Sequence, residues 1–258
     1  MIFLKIFVLF FFLTSFAQGH PFQEIFKIQE IEPSLKERSL VVFDLDLTLI
    51  HPNGSLALPQ AFDAQIQKII NADDINRKRS TNCLIAEYSA SLAFTSFNLI
   101  EEDSPIFLKS LIENYNCETL GLTARGLETV SSTNIHLQTH NIQFSNKIKY
   151  SYEKEFFHNP NFREPILMSQ GVVYASGQHK GLTLKHILDA KAHTPEHIVF
   201  IDDTVKNIHQ MNQTCIENNW SCSLFLYKRM HKWSKQQNVS NIEEQREHTI
   251  RIMNTFWK

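Results

Sequence analysis

The chain has 258 residues, with 25 lysines and arginines against 27 aspartates and glutamates and a net charge of -2. That balance excludes a partner recruited by bulk positive charge, nucleic acid above all. With 43% hydrophobic and 20% charged residues, an unstructured chain is excluded too, and one domain of moderate size plus an insertion has enough core.

Residues 1–19 read as a secretory signal peptide. Lys5 supplies a positive start, and Ile6 to Phe16 form an apolar run too short to span a bilayer. Ser15-Phe16-Ala17 and Ala17-Gln18-Gly19 are small-x-small cleavage sites. The expected product is exported, periplasmic or secreted, with no stable membrane association once the signal is cut. Export implies an oxidising compartment, where Cys83, Cys117, Cys215 and Cys222 allow three pairings. Cys215 with Cys222 is favoured, because a helix end and the next strand bring them close. Cys83 with Cys117 would then tie the insertion to the main domain. Four free thiols are the alternative, and without a Cys-x-x-Cys a zinc site is disfavoured.

Residues 21–38 are a polar lead-in with Pro21 and Pro33. The first strand is expected at roughly Leu40 to Leu45, within an apolar run that carries Asp44-Leu45-Asp46-Leu47-Thr48. Such a run predicts a strand covered on both faces, as in a parallel sheet. Its carboxyl end is where an open α/β sheet places ligands. Asp44 and Asp46, two apart, project to one side of extended chain. Carboxylates so placed repel unless a cation or proton lies between them.

His51 to Ser55 read as a turn, and Pro59 opens a helix. Asn71 to Asp74 break it. A second helical spacing runs from Thr81 to Ile100 through Leu84, Ile85, Tyr88, Leu92 and Phe94. Ser104-Pro105 starts a third helix. Glu118 to Leu122 is a short apolar run ending in Thr123, followed by Ala124, Arg125 and Gly126. A hydroxyl and free N–H groups at a strand-to-helix turn suit an anion, although Thr123 could be a plain helix cap. A helix to about His140 and irregular chain over 141–165 are expected next.

Ile166 to Ala175 read as a hairpin. A glycine-flanked loop, Ser176 to Gly181, then holds Lys180 at a strand end before a helix to Ala190, where a solvated lysine is the plainer alternative. His197 to Asn207 repeats the opening pattern: a buried strand, the pair Asp202 and Asp203, then a helix. Capping could explain one such pair, but two in one chain favour a metal. Ser223 to Tyr227 is a last strand. A final helix carries Ile242, Ile250, Met253, Phe256 and Trp257.

The alternation predicts an α/β fold, a Rossmann-like parallel sheet with a small helical insertion. Asp44, Asp46, Thr123, Lys180, Asp202 and Asp203 would share its carboxyl edge. Carboxylates, a hydroxyl and a lysine around one point suit phosphoryl transfer, and oxygen ligands select Mg²⁺.

On these four motifs, in this order over residues 39–228, the chain resembles the haloacid-dehalogenase superfamily, chiefly its phosphatases of exported bacterial type. The resemblance implies a signal at 1–19, a hydrolase domain over 20–258, and a helical cap at about 56–103. It makes Asp44 the nucleophile of a phosphoric monoester hydrolase and Asp46 the general acid and base. Thr123, with the N–H of Ala124, would hold phosphate, and Lys180 would offset its charge. Asp44, Asp46 by its carbonyl, Asp202 and Asp203 would bind Mg²⁺, with Asn207 bracing the site. Leu45, Ala124 and Arg125 are the implied substrate contacts, with His179 a further candidate, and a small phosphorylated molecule is the implied partner. Alternatives are a catalytically inactive binding protein on the same scaffold, phosphate transfer to an alcohol acceptor, and a phospho-receiver domain.

Overall fold

The computed structural model describes residues 22–53, 57–71, 77–145, 154–236 and 251. The signal expected at 1–19 lies outside them, as do all five apolar positions of the expected final helix.

Along the chain come β1 (Gln23–Ile25), a 3-10 helix (Ile28–Ser34), β2 (Leu40–Phe43) and β3 (Ile50–Pro52). Two insertion helices follow, α1 (Pro59–Asn71) and α2 (Arg77–Phe94), then β4 (Phe97–Leu99) and α3 (Ser104–Glu113). Next are β5 (Glu118–Thr123), a 3-10 turn (Leu127–Thr129), α4 (Val130–Thr139), β6 (Lys154–Phe157), β7 (Ile166–Ser169) and β8 (Val172–Tyr174). The chain continues through α5 (Lys180–Ala190), β9 (Ile198–Asp202), α6 (Val205–Glu217), β10 (Cys222–Tyr227) and α7 (His231–Gln236).

Eight strands form one sheet in the order β1-β10-β9-β2-β5-β8-β7-β6. From β1 to β8 every neighbour is parallel, while β7 and β6 run antiparallel at one edge. This is the expected α/β architecture with a mostly parallel sheet. The central strands β2 and β9 are buried at every residue because both faces are covered. Val41, Phe43, Val199 and Ile201 point to one layer with Leu108, Leu111, Val130 and Leu137 of α3 and α4. Leu40, Val42, Ile198 and Phe200 point to the other, with Leu184, Ile187, Ile208 and Met211 of α5 and α6. Each fully buried aliphatic side chain contributes about 1.5–3 kcal/mol. The two layers therefore clamp β2 from both sides.

Three local expectations change. The helix expected over Thr81 to Ile100 ends at Phe94, and Phe97–Leu99 instead pairs antiparallel with Ile50–Pro52, where only a turn was expected. The ladder closes with Ile100 N donating to Leu49 O at 3.0 Å and Asn53 N to Ser96 O at 2.9 Å. The two ends of the insertion thus zip together, a pairing between distant segments that helical spacing cannot register. Within 141–165, expected to be irregular, Lys154–Phe157 pairs with Ile166–Ser169 as the sheet's edge. Gln23–Ile25, in the polar lead-in, adds a strand at the opposite edge.

Cys215 and Cys222 form a disulfide with Cα atoms 6.4 Å apart, joining the end of α6 to the start of β10. The second expected bridge does not form: Cys83 is exposed and Cys117 buried, each retaining its thiol. Cys83 lies on the insertion helix α2, while Cys117 precedes β5 at the sheet's other end. No helix among the described residues is long and apolar enough to cross a membrane.

Candidate active site

The topology decides where the motifs meet. From β2 the chain proceeds outward through β5 and β8 on one side, then returns to lay β9 and β10 on the other. Crossovers leaving a strand in opposite directions open a crevice at its carboxyl end. Asp44 follows β2 there, and its N–H donates to Ile201 O of β9 at 2.9 Å. Asp202 is the last residue of β9 and Thr123 the last of β5. Lys180 is the first residue of α5.

Local backbone features hold these positions. After Asp46 the chain doubles back, with Leu47 in the left-handed region at φ 59°. That is a costly conformation for a residue with a branched side chain. The Leu45 carbonyl offsets it by accepting from the N–H groups of Leu49 and Ile50 at 2.9 and 3.0 Å. The Leu45 side chain is buried in the core, so only its backbone faces the crevice edge. In the loop before α5, Gly177 has φ 69° and its N–H donates to the Ala124 carbonyl at 2.8 Å. Beside Lys180, a Cβ on Gly181 would collide with the Thr214 hydroxyl and the Gln210 carbonyl, so glycine lets α5 lie close on α6. His179 caps α5, its Nδ1 accepting from Leu182 N at 3.1 Å.

Charge is concentrated and buried. Lys180 Nζ lies 2.6 Å from Asp44 Oδ1 and 2.7 Å from Asp202 Oδ2, with 1% of its side chain exposed. Burial pushes the Lys180 pKa down, but Asp202 and Asp44 outweigh that and hold it above its ordinary value. Asp202 also accepts from Thr204 N at 2.8 Å and from Asn207 Nδ2 at 3.0 Å. Asn207 thus braces Asp202. Carboxylate oxygens of Asp44, Asp202 and Asp203 lie within 4.8 Å of one another. Burial pushes the Asp44 carboxyl well up; Lys180 pulls it down, and Asp202, Asp203 and Asp46 push it up again. Burial and the neighbouring Asp202 push Asp203 up to about 7. Four carboxylates therefore face two cations, Lys180 and Arg125. A divalent cation would let these raised carboxylates ionise, and an all-oxygen donor set suits a hard one such as Mg²⁺.

Arg125, expected as a substrate contact, is 4% exposed and engaged elsewhere. Its Nε donates to Asp46 Oδ2 at 2.9 Å and its Nη2 to Asp46 Oδ1 at 2.7 Å. Burial pushes its pKa down, and Asp46 more than reverses that. Ala124, by contrast, is exposed at the loop. Nothing in the sequence signals the Arg125 pairing, because the partners are far apart in the chain. Tyr88 was expected only as an apolar position of a helix. In the structure it packs on Phe62 at 4.6 Å between ring centroids. Burial raises its phenol pKa, with the charges of Asp46 and Arg125 also acting on it. The insertion helix α2 therefore reaches the crevice, which a helical period alone does not reveal.

Putative outer membrane proteins of Chlamydia trachomatis and Chlamydia muridarum are each 24% identical over 179 residues, 69% of this chain. The match spans 65% of the length of either relative. Among solved structures, the chain is similar to a haloacid dehalogenase-like family hydrolase from Streptococcus pneumoniae, with 14% identity, 78% of this chain and 99% of that one covered, and a TM-score of 0.45. It is also similar to the HAD domain of a Legionella pneumophila effector protein, an inactive mutant, with 10% identity, 81% and 98% covered, and a TM-score of 0.39. Residues 21–255 match the family described as "Protein of unknown function (DUF2608)", and the chain belongs to that family.

Proposed function

We propose that this chain is a magnesium-dependent phosphatase that hydrolyses a small phosphate monoester through an aspartyl-phosphate on Asp44. The observation that carries the reading is the meeting of Asp44, Asp202 and Asp203 around Lys180 at the crevice, three carboxylates beside one ammonium. Asp44, the Asp46 carbonyl, Asp202 and Asp203 would hold Mg²⁺. When bound, the ion supplies the missing positive charge beside the phosphoryl oxygens.

The chain's own residues perform the steps. The Thr123 hydroxyl and the Ala124 N–H orient the phosphate, and Lys180 offsets its charge and that of the nucleophile. An Asp44 oxygen attacks phosphorus in line, and the bond from phosphorus to the ester oxygen breaks. Asp46 gives its proton to that leaving oxygen. Asp46, now a carboxylate, takes a proton from water, and the water oxygen attacks the phosphorus. The acyl-phosphate bond breaks, inorganic phosphate leaves, and Asp44 is a carboxylate again. The helical insertion acts as a cap that excludes bulk water from the intermediate.

Export belongs to the same reading. The Cys215–Cys222 bridge fits an oxidising compartment, and the relatives' names point to the cell envelope. The purified full chain is expected to release p-nitrophenol from p-nitrophenyl phosphate with Mg²⁺, and to lose that activity with EDTA or in Asp44→Asn. No phosphate release across a broad panel of phosphate esters, with Mg²⁺ bound, would favour a binding protein on the same scaffold. A new phosphoester in the presence of glycerol would instead identify a transferase.

A further inference from the structure

We propose that the segment after β10, Lys228 to Trp233, is a strap that holds the two acidic loops of the site in register, with His231 the positioning residue for Asp203 and Trp233 the positioning residue for the turn after Asp46. The role given to Asp203 rests on the magnesium reading. The contacts of the strap do not.

The four carboxylates are braced unequally. Asp44 has Lys180, Asp46 has Arg125, and Asp202 has Lys180, Asn207 and the Thr204 N–H. Among the described residues, the Asp203 carboxylate receives a hydrogen bond only from its neighbour Thr204, whose hydroxyl donates to Oδ1 at 3.0 Å. Its backbone is held from outside the loop. His231 Nε2 lies 2.8 Å from the Asp203 carbonyl oxygen. A carbonyl only accepts, so Nε2 carries the proton, in the neutral ring as in the charged one. The contact therefore does not turn on the charge of His231.

The strap is anchored along its length. The Lys228 N–H donates to the Ile25 carbonyl at 2.8 Å, and its Nζ to Glu24 at 2.8 Å. Buried Glu101, just past β4, accepts from the Tyr227 hydroxyl at 2.7 Å and from Ile28 N at 2.9 Å. Arg229 Nη1 lies 3.5 Å from the other Glu101 oxygen. Met230 and Trp233 pack against the buried cluster of Leu47, Leu58 and Ala61. The Trp233 ring also meets His51 of β3 edge-on, at 4.9 Å between centroids. Leu47 is the left-handed residue of the turn after Asp46, and Leu58 and Ala61 lie at the start of α1. One short segment thus touches the loop after β9 through His231 and the turn after β2 through Trp233. Loops held from behind lose less freedom when an ion draws their carboxylates together.

A segment that merely covers apolar surface would act on folding stability, whereas a strap acts on metal affinity. The test titrates Mg²⁺ into the purified full chain by calorimetry, without substrate, for wild type, His231→Leu, His231→Gln and Trp233→Leu. Urea unfolding of each metal-free protein is measured alongside. His231→Leu keeps bulk and loses the donor. Its Mg²⁺ Kd is expected to rise about 10-fold, the scale for losing a group that orients a metal ligand, with the metal-free urea midpoint nearly unchanged. His231→Gln, whose amide donates to the same carbonyl, should stay within about 3-fold of wild type. Trp233→Leu should raise Kd about 3-fold, and keeps the test available where His231→Leu folds poorly. An unchanged Kd in a folded variant of either residue overturns the proposal, as does a weakening in His231→Leu that His231→Gln shares. Hydrogen exchange is the readout free of metal. The amides of Thr204 and Asn207, both hydrogen-bonded within the loop, should exchange about 10-fold faster in His231→Leu. Equal exchange in variant and wild type overturns the proposal. A wild-type chain that takes up no Mg²⁺ would sink the magnesium reading, which the exchange result distinguishes from failure of the strap.

Discussion

The two halves of the sheet's carboxyl edge hold their carboxylates by different means. On the β9 side, one ammonium serves Asp44 and Asp202 at 2.6 and 2.7 Å, with Asp203 beside them. On the β5 side, one guanidinium serves Asp46 alone, and both of its oxygens. The first half has three carboxylates to one cation, while the second has one to one. A lysine is a point charge that two strands can share, and an arginine is a fork that fixes one partner's plane. The lesson is a division of labour. The half short of positive charge is where a dication and a phosphate would be drawn. The balanced half fixes the plane of one carboxylate.

The largest expected effect is on the nucleophile. Asp44→Asn keeps the shape of the site but should lower kcat by at least about 10⁴-fold, read as phosphate release under saturating Mg²⁺. Lys180→Met should act mainly on stability, because it strands buried carboxylates. Its cost should be about 3–5 kcal/mol by urea unfolding without metal. Saturating Mg²⁺ should recover part of that loss in Lys180→Met but none of any loss in Arg125→Lys, and equal rescue of the two would break the contrast.

A smaller effect concerns pH. Free of metal, Asp203 is held at about 7, above the ordinary carboxylate value of about 4. Between those values the folded state binds more protons than the unfolded state, so stability falls as pH rises through about 4 to 7. Mg²⁺ takes the ionised carboxylates, so its stabilisation should grow over the same window. A thermal shift on the order of 5–10 °C at pH 8 with Mg²⁺ near 100 times its Kd, shrinking at pH 5, is the expected reading. A shift independent of pH would argue that these aspartates do not hold the ion. The smallest expected effect lies behind the charged half. Replacing Cys215 and Cys222 by serine should cost about 2–3 kcal/mol for so short a loop, while the Mg²⁺ shift persists, because the bridge braces the far ends of α6 and β10.

The unequal legibility of these regions in the sequence has a physical cause. Strands β2 and β9 were readable because each is a short apolar run ending in paired aspartates, and both are buried on every residue. The order of motifs then implied their convergence, since parallel strands with crossover helices put all carboxyl ends on one edge. The β3–β4 stem was not readable: Ile50–Pro52 and Phe97–Leu99 form strands only by pairing with each other. The short edge strand Gln23–Ile25 exists by pairing with β10 in the same way. The pairing of Arg125 with Asp46 was hidden for a related reason. The position of Arg125 beside Thr123 suggested a reach toward substrate, but the tight turn after Asp46 sets that carboxylate within the guanidinium's fork.

The central claim, covalent phosphoryl transfer to Asp44, is tested most directly by quenching the enzyme during turnover with sodium borohydride. This reagent reduces an acyl phosphate to an alcohol, which mass spectrometry of the peptide carrying residue 44 would locate. The predicted result is reduction at Asp44 alone, dependent on substrate and Mg²⁺. Sustained phosphate release with Asp44 unreduced, or with the reduced residue elsewhere in the chain, would contradict it.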